Sequence, residues 1–209
     1  MKAAPARDVV APRNSSALGR IFAGLPDLVT ALAFLATWIA PATLGAAAVK
    51  TGVLVVLMEF FVIHSTGFML ATAFNERVSS SRRTLAVLGF AAFYALFVAL
   101  ISMIFDEWWP LLALAWLVGA KVSLIWFAPL DRGAEQQRQM GLLAVSTAAY
   151  LFAVILTVAV PMPSLGITGT GADYGLSGGG VWIDKPYTAI AGGTIYFALL
   201  AWAKLGWKR

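Results

Sequence analysis

Residues 51–74 read TGVLVVLMEFFVIHSTGFMLATAF, an apolar stretch interrupted by only two ionisable side chains, Glu59 and His64. Because an α-helix rises about 1.5 Å per residue, roughly 20 apolar residues cross the ~30 Å hydrocarbon core of a bilayer. Lipid offers the backbone no hydrogen-bond partner outside its own helix. The stretch therefore predicts a transmembrane helix.

The rest of the chain repeats this pattern. It has 209 residues, of which 60% are hydrophobic and 12% are charged, and its mean hydropathy is +0.83. We predict an all-α, polytopic membrane helix bundle with six transmembrane helices, preceded by a polar cytoplasmic tail at residues 1–20. Residues 21–209 then form one six-helix transmembrane domain. The predicted spans are 21–44, 51–74, 84–105, 109–127, 142–160 and 187–205.

The basic residues predict the orientation of this bundle. With both termini in the cytoplasm, the inner segments carry twelve Lys and Arg residues, whereas the outer segments carry only Lys50 and Lys185. This bias is the one expected of a bacterial cytoplasmic (inner) membrane protein. In a membrane protein the basic residues behind the net charge of +5 mainly indicate which side faces the cytoplasm. We therefore do not take this charge as a sign of nucleic-acid binding, and we expect the lipid bilayer as the partner.

Two residue types limit the cofactors that the chain could bind. It has no cysteine, which excludes disulfides, thiolate metal sites and iron–sulfur ligation by this chain. With His64 as the single histidine, a bis-histidine haem within one chain is also excluded. The sequence therefore predicts no metal site and indicates no particular cofactor, so whether one binds stays open.

The only long connection, residues 161–186, contains seven glycines. The glycines resemble a phosphate-binding loop only superficially, because no Gly-Lys-Ser/Thr follows and no strand precedes them. We predict a flexible, Gly-rich outer loop. Trp182, Asp184 and Tyr187 are its candidates for interaction with a partner.

Glu59, His64 and Lys121 are the candidates for a ligand or proton site, because ionisable residues within a membrane are expensive and usually functional. Five helical positions separate Glu59 from His64, or about 140°, so we expect them on different faces of the helix. Glu59 should share a face with Val62, Ile63 and Thr66. His64 should share one with Phe60, Phe61 and Phe68.

Lys121 lies in the fourth predicted span at a depth from which its ammonium group could reach Glu59. Such a pair would cancel two charges that are each expensive in hydrocarbon. We also expect His64 either to pack tightly against another helix or to open onto a cavity. Small residues in the last two spans, including Ser146, Gly192 and Gly193, should allow close helix packing.

Three classes of function remain open. The first is a non-catalytic subunit or scaffold of a membrane complex, or a homo-oligomer, in which the polar residues fix helix packing. The second is a small transporter or channel with its polar site at Glu59, His64 and Lys121. The third is an intramembrane or lipid-modifying enzyme, although no HExxH, paired carboxylates or Gly-x-Ser-x-Gly motif is present.

Two segments carry a resemblance to known proteins. The segment from Glu59 to Phe68, in which His64 follows aromatic residues, and the segment with Gly179, Trp182 and Tyr196 resemble a family of uncharacterised bacterial and archaeal integral membrane proteins, known as a domain of unknown function. The resemblance implies a common six-helix fold and a role for His64, and it implies no particular activity.

Overall fold

A computed structural model describes residues 17–45, 47–127 and 131–206, which form seven α-helices and two short 3₁₀ turns without a strand. The 3₁₀ turns are Pro41–Thr43 and Gly171–Tyr174. The helices are α1 (Ala17–Ile39), α2 (Ala48–Ala73), α3 (Ser80–Phe105), α4 (Trp109–Trp126), α5 (Arg132–Ala159), α6 (Val181–Asp184) and α7 (Pro186–Gly206).

Six of these helices, all except α6, are long and apolar enough to cross a membrane. The predicted all-α bundle with six potential spans is therefore confirmed. The chain is an integral membrane protein by the length and composition of its helices.

Most helix boundaries lie within five residues of the predicted ones, and two of the differences affect the tail and the site. Helix α1 begins at Ala17, inside the predicted tail, and residues 1–16 of that tail lie outside the described residues. Helix α5 begins at Arg132, ten residues before the predicted start at 142. It begins there because the Asp131 carboxylate accepts a hydrogen bond from the Ala134 amide at 2.9 Å and caps the first turn.

The bundle has two distinct ends. At one, which we call the loop end, Lys50 and Glu107 form an ion pair of 3.4 Å. At the other, the basic end, Arg132 contacts Glu76 at 3.4 Å. Helices α2, α4 and α7 run from the loop end to the basic end, and α1, α3 and α5 run the opposite way.

Helices α2 and α7 form the centre of the bundle. Helix α2 packs against α3, α4, α5 and α7, and α7 packs against α1, α2 and α5. Close approach depends on small residues, as predicted: a Cβ added to Gly193 would collide with the ring of Phe34 in α1. One added to Gly192 would lie in van der Waals contact with Thr157 in α5, at 3.4 Å. These glycines therefore let α1 and α5 pack closely against α7.

The Gly-rich segment is anchored to the helix ends, which is not what a flexible loop predicts. The Gly166 amide donates to the Trp38 carbonyl at 3.0 Å, and Ile167 is fully buried. Hydrogen bonds from the Thr170 amide and hydroxyl, at 2.7 and 2.9 Å, hold the pKa of Asp173 below its ordinary value of 3.8. The segment therefore forms a folded cover over the loop end.

The three predicted interaction residues lie within this cover or next to it. Trp182 is partly buried in α6, and Asp184 is exposed at the last position of the same helix. Tyr187 is partly buried in the first turn of α7. Their role in binding a partner stays a prediction.

Candidate functional site

A small polar pocket lies between α2, α5 and α7, in the middle of the bundle. Its volume is about 110 Å³, and both apolar and polar side chains line it. The lining residues are Glu59, Val62, Ile63, Thr66, Gln139, Leu142, Leu143, Ser146 and Tyr196. The α2 members of this set are the four residues that the helical periodicity places on one face, which confirms that prediction.

The Glu59 carboxylate is the only formally charged group of the pocket lining. The Tyr196 hydroxyl donates a hydrogen bond to Glu59 Oε2 at 2.8 Å. Within the described ranges, no Lys or Arg nitrogen lies within 4.0 Å of this carboxylate. Because a carboxylate has about four acceptor positions, most of its capacity is left for whatever occupies the pocket.

A second tyrosine closes the side of the pocket nearest the loop end. Tyr150 in α5 is buried and donates to the carbonyl of Val56, one turn before Glu59, at 3.2 Å. Its ring meets the ring of Tyr196 edge to face, with centroids 5.7 Å apart. Ser146 lies beside the Tyr196 hydroxyl. The two tyrosines therefore fasten α5 and α7 to the middle of α2.

Toward the basic end, Gln139 connects the pocket to a group of charged side chains. Its Oε1 accepts from Lys121 Nζ at 3.5 Å, and its Nε2 donates to Glu135 at 2.8 Å. Arg138 in turn donates to Glu135 at 2.7 Å. The pocket is thus in polar contact with the basic end, whereas buried apolar side chains separate it from the loop end.

The predicted pair of Glu59 and Lys121 is wrong. Lys121 is buried, but it turns toward α5 and contacts Gln139, while Glu59 contacts Tyr196. The prediction failed because it placed the first two turns of α5 outside the membrane helix and so left out Gln139. The structure brings Glu59 and Lys121 to opposite sides of this one amide side chain.

His64 lies on the outer surface of the bundle, apart from the pocket. Its side chain is exposed, its Nδ1 lies 2.8 Å from the Phe60 carbonyl, and its ring stacks at 4.1 Å on that of Phe60. The expected packing against another helix or opening onto a cavity is therefore wrong. Phe60, His64 and Phe68 are all exposed on one face of α2, in agreement with their predicted grouping, although the Phe68 ring stacks on Phe90 of α3 at 5.4 Å. Phe61, predicted to share this face, packs against Phe97 of α3.

The sequence interpretation missed Gln139, Tyr150 and Tyr196 as parts of the site. One signal could have found two of them. Polar residues at positions 135, 139, 146, 150 and 157 of α5 recur at spacings of four and seven, so they share one helix face. Tyr196 stands alone in α7 and carries no such signal.

An ion pair between α1 and α7 was also missed. Lys204 Nζ lies 2.7 Å from Asp27 Oδ2, and Asp27 is buried. Asp27 follows Pro26, and α1 continues through both residues. This pair is the second intramembrane carboxylate site of the protein.

The site has the chemistry of a cation or proton acceptor. It joins a carboxylate with hydroxyl and amide groups, and the part of the chain that the structure describes contains no group of three His, Cys, Asp or Glu residues suited to a metal ion. Glu59, His64 and Lys121 do not converge on a single point.

Comparison with known proteins gives no match. No protein-family model, no curated protein and no solved structure is similar to this chain. The resemblance to uncharacterised integral membrane proteins stays a prediction, and function must be argued from the site itself.

Proposed function

We propose that the protein is a small membrane transporter in which the Glu59 carboxylate binds an exchangeable proton or small monovalent cation. The observation that carries this proposal is the pocket itself. Glu59 faces a space of about 110 Å³, accepts one hydrogen bond from Tyr196 and has no cationic partner among the described residues.

The physical argument concerns the charge of Glu59. An ionised carboxylate in the middle of a membrane costs several kcal/mol unless a counter-charge or a proton neutralises it. Lys121 does not supply that charge, since it contacts Gln139. The charge of Lys204 also acts on Glu59, but this ammonium group is paired with Asp27. We therefore expect the neutralising species to come from the pocket, whose volume is that of about three to four water molecules at ~30 Å³ each.

The direction of access follows from the surroundings. Gln139, Glu135 and Arg138 place polar groups between the pocket and the basic end, and Tyr150 with Tyr196 closes the opposite side. We infer that this arrangement is one of the two states of a carrier, open toward the basic end. Opening toward the other side requires the two tyrosine hydrogen bonds to α2 to break.

The experiment uses the full chain in two preparations of lipid vesicles, one with a pH-sensitive dye inside and one with a sodium-sensitive dye inside. A potassium diffusion potential drives ion entry, and flux is followed with and without sodium in the outer solution. We expect flux from the unaltered protein and a loss of at least about tenfold in Glu59→Gln, because the amide neither ionises nor releases a proton. Glu107→Gln, which removes a carboxylate at the loop end, is the matched control.

Each outcome of this experiment decides the proposal. Internal acidification that is independent of sodium identifies the proton as the ion, and a rise in internal sodium identifies the cation. Equal flux in Glu59→Gln and in the unaltered protein, or no flux in either, would overturn the transporter function.

A subunit of a membrane complex or a homo-oligomer is the second candidate, favoured by one separate observation. His64 presents an imidazole to the lipid side of α2, where no described residue beyond its own helix contacts it. Because this residue lies outside the pocket, the candidate does not compete with a transport site at Glu59.

We further infer that the basic end faces the cytoplasm of a bacterial inner membrane, as the asymmetry of basic residues predicts. Cysteine labelling from outside tests this orientation. In the cysteine-free chain, Ser177→Cys in the exposed part of the Gly-rich segment should react and Ser79→Cys at the basic end should not. The reverse pattern would invert the direction of access proposed above.

A further inference from the structure

We propose that this protein associates with further copies of itself through a contact in which Trp116 of one copy enters the groove beside His64 of the next. The proposal does not depend on transport through Glu59. It is based on two polar groups that the bundle leaves without partners in the lipid region, a donor on α4 and an acceptor on α2.

The acceptor is the second ring nitrogen of His64. Its Nδ1 lies 2.8 Å from the carbonyl oxygen of Phe60, and a carbonyl only accepts, so Nδ1 carries the proton of the neutral ring. Nε2 is then an acceptor. It points from an exposed side chain toward lipid, and no residue of the described ranges bonds to it.

The donor is the indole of Trp116. This side chain is 83% exposed in the middle of α4, although tryptophan usually lies at the membrane interface with its N–H in contact with water or headgroups. Trp38 and Trp126 both use their indole N–H in hydrogen bonds. Within the described residues Trp116 has no such partner, so its N–H is left in hydrocarbon.

The two groups lie at the same depth. Trp116 is ten residues from the end of α4 and His64 is nine residues from the end of α2, and both helices end at the basic end. At 1.5 Å per residue the distances are about 15 and 14 Å. Copies inserted in the same direction therefore bring the donor of one to the level of the acceptor of another.

A groove that includes Phe68, one turn from His64, has room for the indole. Its volume is about 520 Å³, and its lining is almost entirely apolar: Phe68, Ala86, Gly89, Phe90, Phe93 and Tyr94. Phe68 is one turn from His64 on the same exposed face of α2. Nothing lies within 4 Å of a Cβ added to Gly89, so the groove is open there. Gly89 is nine residues from the start of α3 at the basic end, which places it at the same depth as His64 and Trp116. The groove thus offers an apolar binding surface near a hydrogen-bond acceptor.

The chemistry favours this contact over a symmetric contact of two His64 faces. Two copies of that face would bring two Nε2 acceptors together without a proton between them. Trp116 supplies the missing N–H from a different surface of the molecule. Such a head-to-tail contact joins unlike surfaces, and it produces a ring or a chain of copies rather than an isolated two-fold dimer.

The first test measures association of the full chain in lipid vesicles by single-molecule photobleaching over a range of protein-to-lipid ratios. Trp116→Phe keeps an aromatic ring and removes the N–H. We expect it to raise the dissociation constant by about 3- to 20-fold, the size of one interhelical hydrogen bond in a membrane. Gly89→Leu, which fills the groove, should weaken association at least as much. Trp202→Phe, at an equally lipid-exposed tryptophan of α7 (74%), should change nothing.

The second test identifies the two surfaces. One copy carries Phe60→Cys and one tag, and the other carries Leu112→Cys and a second tag. These positions lie one turn before His64 and Trp116, are exposed, and occur in a chain without cysteine. We expect oxidation to cross-link the two tags to each other.

Three results would overturn the proposal. The first is that Phe60→Cys copies cross-link to one another while no product joins Phe60→Cys to Leu112→Cys. The second is that the protein is monomeric at every protein-to-lipid ratio. The third is that both Trp116→Phe and Gly89→Leu associate as the unaltered protein does.

Discussion

Asp27 and Glu59 are two carboxylates inside membrane-spanning helices, and their surroundings differ. Asp27 is buried and has a lysine ammonium group, that of Lys204, at 2.7 Å. Glu59 has the Tyr196 hydroxyl and an adjoining pocket, and no Lys or Arg nitrogen of the described residues lies within 4.0 Å of it. Asp27 holds α1 and α7 together as a neutral pair, whereas the absence of such a pair at Glu59 supports the proposal that this carboxylate exchanges its neutralising partner. A carboxylate with a fixed counter-charge is structural, and one that faces a cavity is available for binding.

The largest effect on stability should come from breaking the Asp27 pair. Lys204→Met leaves a buried carboxylate without its counter-charge, and we expect it to lower the free energy of unfolding by about 3 kcal/mol. This value is at the lower end of the range for buried pairs because Lys204 is partly exposed. The double variant with Asp27→Asn should recover much of this loss. Thermal unfolding in detergent measures both.

Lys50→Met is the control for that prediction. It breaks the pair with Glu107 at the loop end, whose carboxylate side chain is more exposed than that of Asp27, 32% against 11%. We expect a loss of at most about 1 kcal/mol. Equal losses in Lys204→Met and Lys50→Met would show that Asp27 behaves as a surface group.

An intermediate effect should follow from removing the hydroxyl that Glu59 contacts. Tyr196→Phe keeps the buried ring but leaves the carboxylate without its protein donor, so we expect a loss of about 1–3 kcal/mol in unfolding free energy. Tyr187→Phe, in the first turn of the same helix, is the matched control and should unfold as the unaltered protein does. A neutral Tyr196→Phe would mean that water in the pocket replaces the hydroxyl.

A smaller effect is expected at Glu59 itself. Glu59→Gln removes a charge without leaving a cation unpaired, and the amide oxygen can still accept from Tyr196. We therefore expect less than about 1 kcal/mol of change in unfolding free energy, in contrast to the loss of flux. If Glu59→Gln destabilises the protein as much as Lys204→Met does, Glu59 has a fixed counter-charge and the comparison between the two carboxylates fails.

The smallest effect concerns a third carboxylate, which lies outside the membrane helices. Because the pKa of Asp173 is below its ordinary value of 3.8, its contribution to stability is present above pH 3.8 and is lost as the pH falls through the lowered pKa. Hydrogen exchange of the Thr170 amide should accelerate over that range. Asp173→Asn should remove the pH dependence, and an unchanged pH profile in that variant would contradict the assignment.

The sequence by itself determined the class of the protein and the number of its potential spans. Apolar runs of about 20 residues in lipid permit only helices, since the backbone must satisfy its own hydrogen bonds. The 3.6-residue period also determined which residues of α2 share a face with Glu59 and which share one with His64. These are local properties, and they do not depend on what packs against the helix.

The tertiary structure alone decided which side chains meet. From the sequence alone, Glu59 and Lys121 could pair with each other. In the structure, α5 places Gln139 beside Lys121, and α7 brings the Tyr196 hydroxyl to Glu59. Likewise, only the order of helices around α2 left His64 facing lipid. Helix periodicity fixes the angle at which a side chain leaves its own helix, but the neighbour found at that angle depends on how the helices pack together.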